Sequence, residues 1–139
     1  MICSETTIRV RYSETDRMGY LYYGHYPSYF EASRTDMIRL FGLTYREIEE
    51  QGIIMPVRSL KIDYKRPARY DELLIVKSYL KTVPLVKLDI DYEIFNPSGQ
   101  LICTGNTVLA YVDARTGRPR RAPEFFIRAV EQHFGKEVR

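Results

Sequence analysis

The chain has 139 residues, of which 45% are hydrophobic and 28% are charged, a balance typical of one folded globular domain, which we expect to span residues 1–139. The net charge of +3 is too small to indicate a nucleic-acid-binding protein. The two cysteines and two histidines lack the spacing of a metal site, and no apolar run has the length of a signal peptide or membrane span. We therefore expect a cytoplasmic protein without metal, nucleic acid or membrane contacts.

The first predicted element is a half-buried strand over residues 6–13. Its side chains alternate, with Ile8, Val10 and Tyr12 on one face and two arginines on the other. A long helix is predicted next, from Gly24 to Phe41. Large apolar residues recur there at helical spacing, Pro27 lies in the first turn, and Gly42 follows the end.

The rest of the chain is predicted to be mainly β-structure. Thr44 is the expected N-cap of a short helix that ends near Gln51. The apolar pattern has a period of two at residues 60–64 and 86–94, whereas 72–83 and 100–113 are apolar enough to be central strands. A last amphipathic helix is predicted over 123–134. This order predicts an α+β fold in which a five-stranded antiparallel sheet wraps around one long helix.

Asp16 is the polar residue with the most chemical promise. It lies among bulky aromatics between the first strand and the long helix, so we expect it to be partly desolvated and more basic. The free backbone N–H groups near Tyr23 and Gly24, at the start of that helix, are suited to an oxyanion. From the residues alone, an Asx-turn or a helix cap explains Asp16 equally well.

One carboxylate and one oxyanion hole are sufficient for a reaction whose leaving group departs unaided. A thiolate is such a group, since its conjugate acid has a pKa of about 8.5. An aspartate could then act as the nucleophile or as the base that activates water. The sequence is therefore compatible with thioester hydrolysis.

The segment RVRYSETDRMGYLYYGHYPSYFEASRTDMIRLFG, residues 9–42, resembles the signature of the 4-hydroxybenzoyl-CoA thioesterase family, whose members are hotdog-fold acyl-CoA thioesterases. SLKIDYKRPARYDELLIV and VDARTGRPRRAP are similar to later parts of the same family. The resemblance covers about residues 6–123. It implies a hotdog fold, assembly into homodimers or homotetramers with active sites between subunits, and no cofactor other than the coenzyme A of the substrate.

The resemblance also implies roles for individual residues. Asp16 becomes the catalytic carboxylate, the Tyr23 N–H polarises the thioester carbonyl, and Gly19 lets the loop pass close to the acyl group. His25, Tyr22 and Gly24 are candidates for substrate contact. Glu14 and Glu31 are rival carboxylates.

The resemblance also suggests a ligand for the basic residues, because coenzyme A carries a 3′-phosphate and a diphosphate. Lys65 and Arg66 follow one strand, and Arg118 and Arg120 follow another; both pairs are expected to meet phosphates. A solvated basic turn is the simpler explanation for the second pair. Two other functions stay open: hydrolysis of acyl groups on an acyl carrier protein, and a non-catalytic module that binds a thioester or a partner.

Overall fold

The structure is a computed structural model that describes residues 1–137, with side chains to residue 134. Within these residues one strand is followed by two α-helices, six strands and a last α-helix. The helices are α1 (Tyr26–Leu40), α2 (Tyr45–Glu50) and α3 (Glu124–Glu137). The strands are β1 (Ile2–Arg9), β2 (Ile53–Ile54), β3 (Val57–Tyr64), β4 (Leu73–Leu80), β5 (Lys87–Phe95), β6 (Leu101–Asp113) and β7 (Pro119–Arg120).

The five long strands form an antiparallel sheet in the order β1-β4-β5-β6-β3. The predicted central strands are β4 and β6, and both lie inside the sheet as expected. The short strands β2 and β7 pair with the end of β6. The predicted architecture of an antiparallel sheet with a long helix packed on it is therefore confirmed.

Helix α1 packs its apolar stripe against one face of the sheet. Tyr26, Tyr29, Phe30 and Met37 are buried, as their spacing predicts. The aromatic ring of Phe30 stacks on that of Tyr92 from β5, with 4.3 Å between the centroids. Leu40 shares the helical spacing of this stripe but is 50% exposed, because it lies at the margin of the stripe and is the last residue of the helix.

The first strand differs from its prediction. It covers residues 2–9 instead of 6–13, because the chain leaves the sheet after Val10 and forms a 3₁₀ turn at Tyr12–Glu14. The Tyr12 side chain, predicted to be buried, is 77% exposed. The small polar residue Ser4 occupies a buried position in β1, which hides the alternation of the true strand from a hydrophobicity pattern.

Strand β3 is an edge of the sheet with little cover in the single chain. Among residues 1–137 it pairs with β6 alone, and Val57, Leu60 and Tyr64 are each about half exposed. An uncovered edge of this kind presents unpaired backbone groups and apolar side chains to a partner. Within residues 1–137 no helix is both long and apolar enough to cross a membrane.

Candidate active site

Asp16 is the first residue of a tight turn between β1 and α1. Its backbone N–H donates to the Tyr20 carbonyl at 2.8 Å, and its own carbonyl accepts from Gly19 at 3.0 Å. Gly19 has a φ of +79°, a conformation that glycine adopts at little cost. A Cβ at this position would meet no atom within 4 Å, so the turn geometry alone accounts for the glycine.

The Asp16 carboxylate accepts two backbone hydrogen bonds through one oxygen. Oδ1 receives the N–H of Met18 at 2.9 Å and that of Tyr20 at 3.1 Å, which makes an Asx-turn. Asp16 is exposed in the single chain, so the expectation of partial desolvation is wrong for one protomer. Its Oδ2 has no hydrogen-bond partner among residues 1–137 and is the oxygen available to a substrate.

The Asp16 turn is fixed on the segment that follows β3. The Leu21 N–H donates to the Ala68 carbonyl at 2.7 Å, and Tyr20 and Arg69 form an isolated β-bridge. The Arg69 guanidinium also lies over the Tyr20 ring, 5.0 Å from its centroid. These contacts hold the C-terminal side of the turn.

Backbone donors suited to an oxyanion lie in a 3₁₀ turn, Tyr23–His25, that leads directly into α1. The N–H groups of Tyr23 and Gly24 donate to no backbone or side-chain acceptor in the part of the chain that the structure describes. The predicted helix start at Gly24 is thus a 3₁₀ turn, and the α-helix begins at Tyr26. The expected free donors are present at this helix start.

Asp16 and Tyr23 line one cleft, which we call the Asp16 cleft. Its volume is about 340 Å³. Two predicted phosphate ligands, Lys65 and Arg66, also line it, although they lie far from Asp16 in the sequence. The remaining lining residues are mostly aromatic or apolar: Tyr20, Leu21, Tyr26, Tyr64 and Pro67.

The other predicted phosphate ligands lie elsewhere in the chain. Arg120 lines a separate cleft of about 310 Å³, the Arg120 cleft, together with Arg58 and Lys87. Arg118 is exposed in the turn before β7, beside Arg120. One protomer therefore does not bring Arg118 and Arg120 to the Asp16 cleft.

The candidates near the 3₁₀ turn pack against one another beside the Asp16 cleft. The Tyr22 ring contacts the Tyr23 ring, with centroids 4.6 Å apart, and the His25 ring edge-on at 5.8 Å. A Cβ on Gly24 would lie 2.6 Å from Tyr22 Cε2, so the glycine is needed for this close approach. Tyr22, Gly24 and His25 do not line the Asp16 cleft itself; they lie beside Tyr23, which does.

The rival carboxylates occupy different surroundings. Glu14 is half buried, and its Oε1 accepts from the Tyr29 hydroxyl at 2.8 Å and from the Arg11 N–H at 2.9 Å. Glu31 is exposed on α1 and does not line the Asp16 cleft. Asp16 is the one carboxylate among the residues described that lines this cleft.

Tyr64 is a residue of this cleft that sequence reasoning missed, because the period-two pattern at residues 60–64 predicts it only as an apolar strand residue. Its hydroxyl donates to the Tyr23 carbonyl at 2.8 Å, and its ring packs edge-on against Tyr26 with centroids 5.0 Å apart. Partial desolvation raises the pKa of Tyr64, and its hydroxyl, protonated at neutral pH like that of any tyrosine, serves as a donor.

Comparison with known proteins identifies the family. Residues 10–130 match the thioesterase-like superfamily. The chain belongs to this superfamily. The expected hotdog fold and thioester hydrolase are confirmed.

Individual relatives agree with this membership over most of their length. YneP of Bacillus subtilis is 34% identical over 119 residues, which are 86% of each chain. The acyl-CoA thioester hydrolase YbgC of Escherichia coli is 25% identical and aligns over 90% of this chain and 93% of its own. The crystal structure of the DHNA-CoA thioesterase of Staphylococcus aureus superposes with a TM-score of 0.89 at 37% identity, covering 100% of this chain and 97% of that one.

Proposed function

We propose that the protein hydrolyses the thioester of a short-chain or aromatic acyl-CoA to the free acid and coenzyme A. The observation that carries this proposal is the Asp16 cleft. It combines a carboxylate with a free oxygen, a free backbone donor at Tyr23, and two cations at Lys65 and Arg66. Each of these groups matches one part of an acyl-CoA. The same match supports the finer assignment to the 4-hydroxybenzoyl-CoA thioesterase family.

In the proposed reaction the thioester carbonyl carbon lies beside Asp16 Oδ2 and its oxygen accepts from the Tyr23 N–H. As a nucleophile, Asp16 adds to the carbonyl carbon, the C–S bond breaks, and water hydrolyses the resulting anhydride. As a general base, Asp16 removes a proton from the water that attacks. In both routes coenzyme A leaves as a thiolate, which needs little help from an acid. Loss of an oxyanion donor costs about 2.7–4 kcal/mol in comparable sites.

The walls of the Asp16 cleft support an aromatic or short acyl group. Tyr20, Tyr23, Tyr26 and Tyr64 surround a volume of about 340 Å³, and ring faces of this kind pack well against a planar group. The relative of 37% identity from Staphylococcus aureus is a DHNA-CoA thioesterase. DHNA-CoA is therefore the first substrate to test, beside benzoyl-CoA, butyryl-CoA and palmitoyl-CoA.

We propose that Lys65 and Arg66 bind phosphates of the CoA held in their own cleft. Arg118 and Arg120 would meet phosphates of a CoA bound by a neighbouring protomer, because they are remote from Asp16 within one chain. This arrangement requires at least a homodimer, and further pairing would give a homotetramer. The exposed edge strand β3 supports such assembly.

The test measures thiol release from the four acyl-CoAs by wild type, Asp16→Asn, Glu14→Gln and Glu31→Gln. We expect Asp16→Asn to reduce turnover by about 10²–10⁴-fold. Glu31→Gln is the matched control and should retain wild-type turnover. Full activity in Asp16→Asn would refute the mechanism. Thiol release from acyl-carrier-protein thioesters but from no acyl-CoA would identify the carrier-protein thioester as the substrate. No release from any thioester would favour a non-catalytic binding module.

A further inference from the structure

Both carbonyl groups beside the free donors of the 3₁₀ turn are already engaged. The Tyr22 carbonyl accepts from the His25 N–H at 3.0 Å. The Tyr23 carbonyl accepts from the Tyr64 hydroxyl, which comes from a residue 41 positions away on β3. The carbonyls of this turn are therefore held by two separate elements.

The geometry of the peptide bond transmits this constraint to the N–H groups. No cis peptide bond occurs within residues 1–137, and in a trans peptide the C=O and the following N–H point in opposite directions within one plane. The Tyr22 carbonyl shares its plane with the Tyr23 N–H, and the Tyr23 carbonyl shares its plane with the Gly24 N–H. Holding the two carbonyls thus orients the two free donors.

The local sequence explains why the Tyr23 carbonyl accepts no α-helical hydrogen bond. In an α-helix its carbonyl would accept from the residue four positions later, which is Pro27. Proline has no backbone N–H, so this bond cannot form. In the 3₁₀ turn the same carbonyl faces the Tyr26 N–H, three residues later, and the Tyr64 hydroxyl adds a donor from outside the turn.

Tyr64 itself is held firmly enough to act in this way. Its Cα is paired with Cys103 of β6, and the next two residues, Lys65 and Arg66, both donate to the Ile102 carbonyl, at 2.8 and 3.0 Å. The ring also packs edge-on against Tyr26 and Tyr23. The sheet therefore fixes the backbone of Tyr64, and the contacts with Tyr26 and Tyr23 orient its ring.

We propose that Tyr64 is a positioning residue whose hydroxyl fixes the Tyr23–Gly24 peptide, so that the Gly24 N–H joins the Tyr23 N–H as a second donor to the oxyanion. The two N–H groups belong to the same helical turn and so point in the same general direction. This inference rests on the proposed thioesterase function, which supplies the oxyanion. Tyr64 acts through Gly24 and does not itself contact the reacting atoms.

The matched pair of variants is Tyr64→Phe and Tyr79→Phe. Each removes one hydroxyl and keeps the ring; the Tyr79 hydroxyl donates to Glu93, away from the Asp16 cleft. We expect Tyr64→Phe to lower kcat about tenfold or more, with KM within a factor of about three of wild type, since the contribution is made in the transition state. Tyr79→Phe should leave both constants unchanged.

A second measurement does not depend on activity. The ¹H–¹⁵N resonance of Gly24 should move in Tyr64→Phe and stay in place in Tyr79→Phe. An unchanged Gly24 resonance, an unchanged kcat, or a loss expressed only in KM would overturn the positioning role. A shifted Gly24 resonance in a protein whose wild type releases no thiol would support the Tyr64 contact while refuting the proposed reaction.

Discussion

The carboxylate of Glu14 accepts a hydrogen bond of 2.8 Å from the hydroxyl of Tyr29, a buried residue of α1. The same carboxylate oxygen accepts from the Arg11 N–H, and the Glu14 carbonyl accepts from the Tyr22 N–H. Glu14 thus ties both ends of the Asp16 loop to the long helix. This structural role accounts for the Glu14 carboxylate, two residues from Asp16, and no catalytic role is needed to explain it.

Tyr29→Phe should therefore destabilise the protein. The variant keeps the ring but leaves the half-buried Glu14 carboxylate without one donor, which typically costs about 1–3 kcal/mol. Urea denaturation of wild type and variant measures this difference. Glu14→Gln retains an acceptor oxygen and should lose less, so a larger loss in Glu14→Gln than in Tyr29→Phe would contradict this account.

Gly24→Ala should lower turnover by distorting the 3₁₀ turn. The new methyl group would lie 2.6 Å from a ring carbon of Tyr22, so either the ring or the turn must move. Displacing catalytic donors by about 1 Å costs up to about 100-fold in rate. Thiol release measured for Gly24→Ala, Tyr22→Ala and the double variant completes a mutant cycle.

The outcome of that cycle depends on which atoms clash. Since the Tyr22 ring is the obstacle, the Gly24→Ala effect should be smaller when Tyr22 is already alanine. An equal effect in both backgrounds would show that the glycine is required for another reason.

The elements of this fold could be predicted because large apolar residues repeat at regular spacing. The limits of β1 could not, since Ser4 is buried there and breaks the hydrophobic alternation. The burial of Arg34 could not be predicted either, because an arginine is usually exposed. In the structure Arg34 is buried and donates to the hydroxyls of Tyr45 and Tyr92. The one indication of its burial in the sequence is that Arg34 lies four residues after Phe30, and so on the same face of the helix.

Only those residues of the candidate site that are close together in the sequence could be predicted. Asp16, Gly19 and Tyr23 are close in sequence, and their spacing alone indicates a turn before a helix. The contact between Tyr64 and Tyr23 joins residues 41 positions apart, and one sequence carries no information on such a pairing. The solvent exposure of Asp16 likewise depends on tertiary and quaternary contacts.

Gly105→Ala should destabilise the contact between α1 and the sheet. Gly105 lies in β6 opposite Tyr92, and a Cβ there would lie 2.4 Å from the Phe30 ring. That ring is stacked on Tyr92 and has little freedom to move, so overpacking of about 1–3 kcal/mol is expected. The free energy of unfolding measures this loss, and adding Phe30→Leu should reduce it. A fully stable Gly105→Ala would show that α1 can shift away from the sheet.

High pH should destabilise the fold through its buried neutral acids. Burial raises the pKa of Cys103 to about 12 from an ordinary value of 9.0, and burial also raises the pKa values of Tyr26, Tyr29 and Tyr111. Below pH 9 both the folded and unfolded states keep the Cys103 proton, so its contribution is fully present. As the pH rises from 9 towards 12, the unfolded state releases the proton first and the free energy of unfolding falls.

Urea denaturation at pH 8, 9, 10 and 11 measures this fall. Between pH 9 and 10 the Cys103 thiol alone should account for a loss of about 1 kcal/mol, before most tyrosines of the unfolded chain ionise. Cys103→Ala is the control: it should be less stable at pH 8 because of the cavity, but should show a shallower fall from pH 9 to 10. An equal slope in wild type and Cys103→Ala over that interval would assign the alkaline sensitivity to other groups.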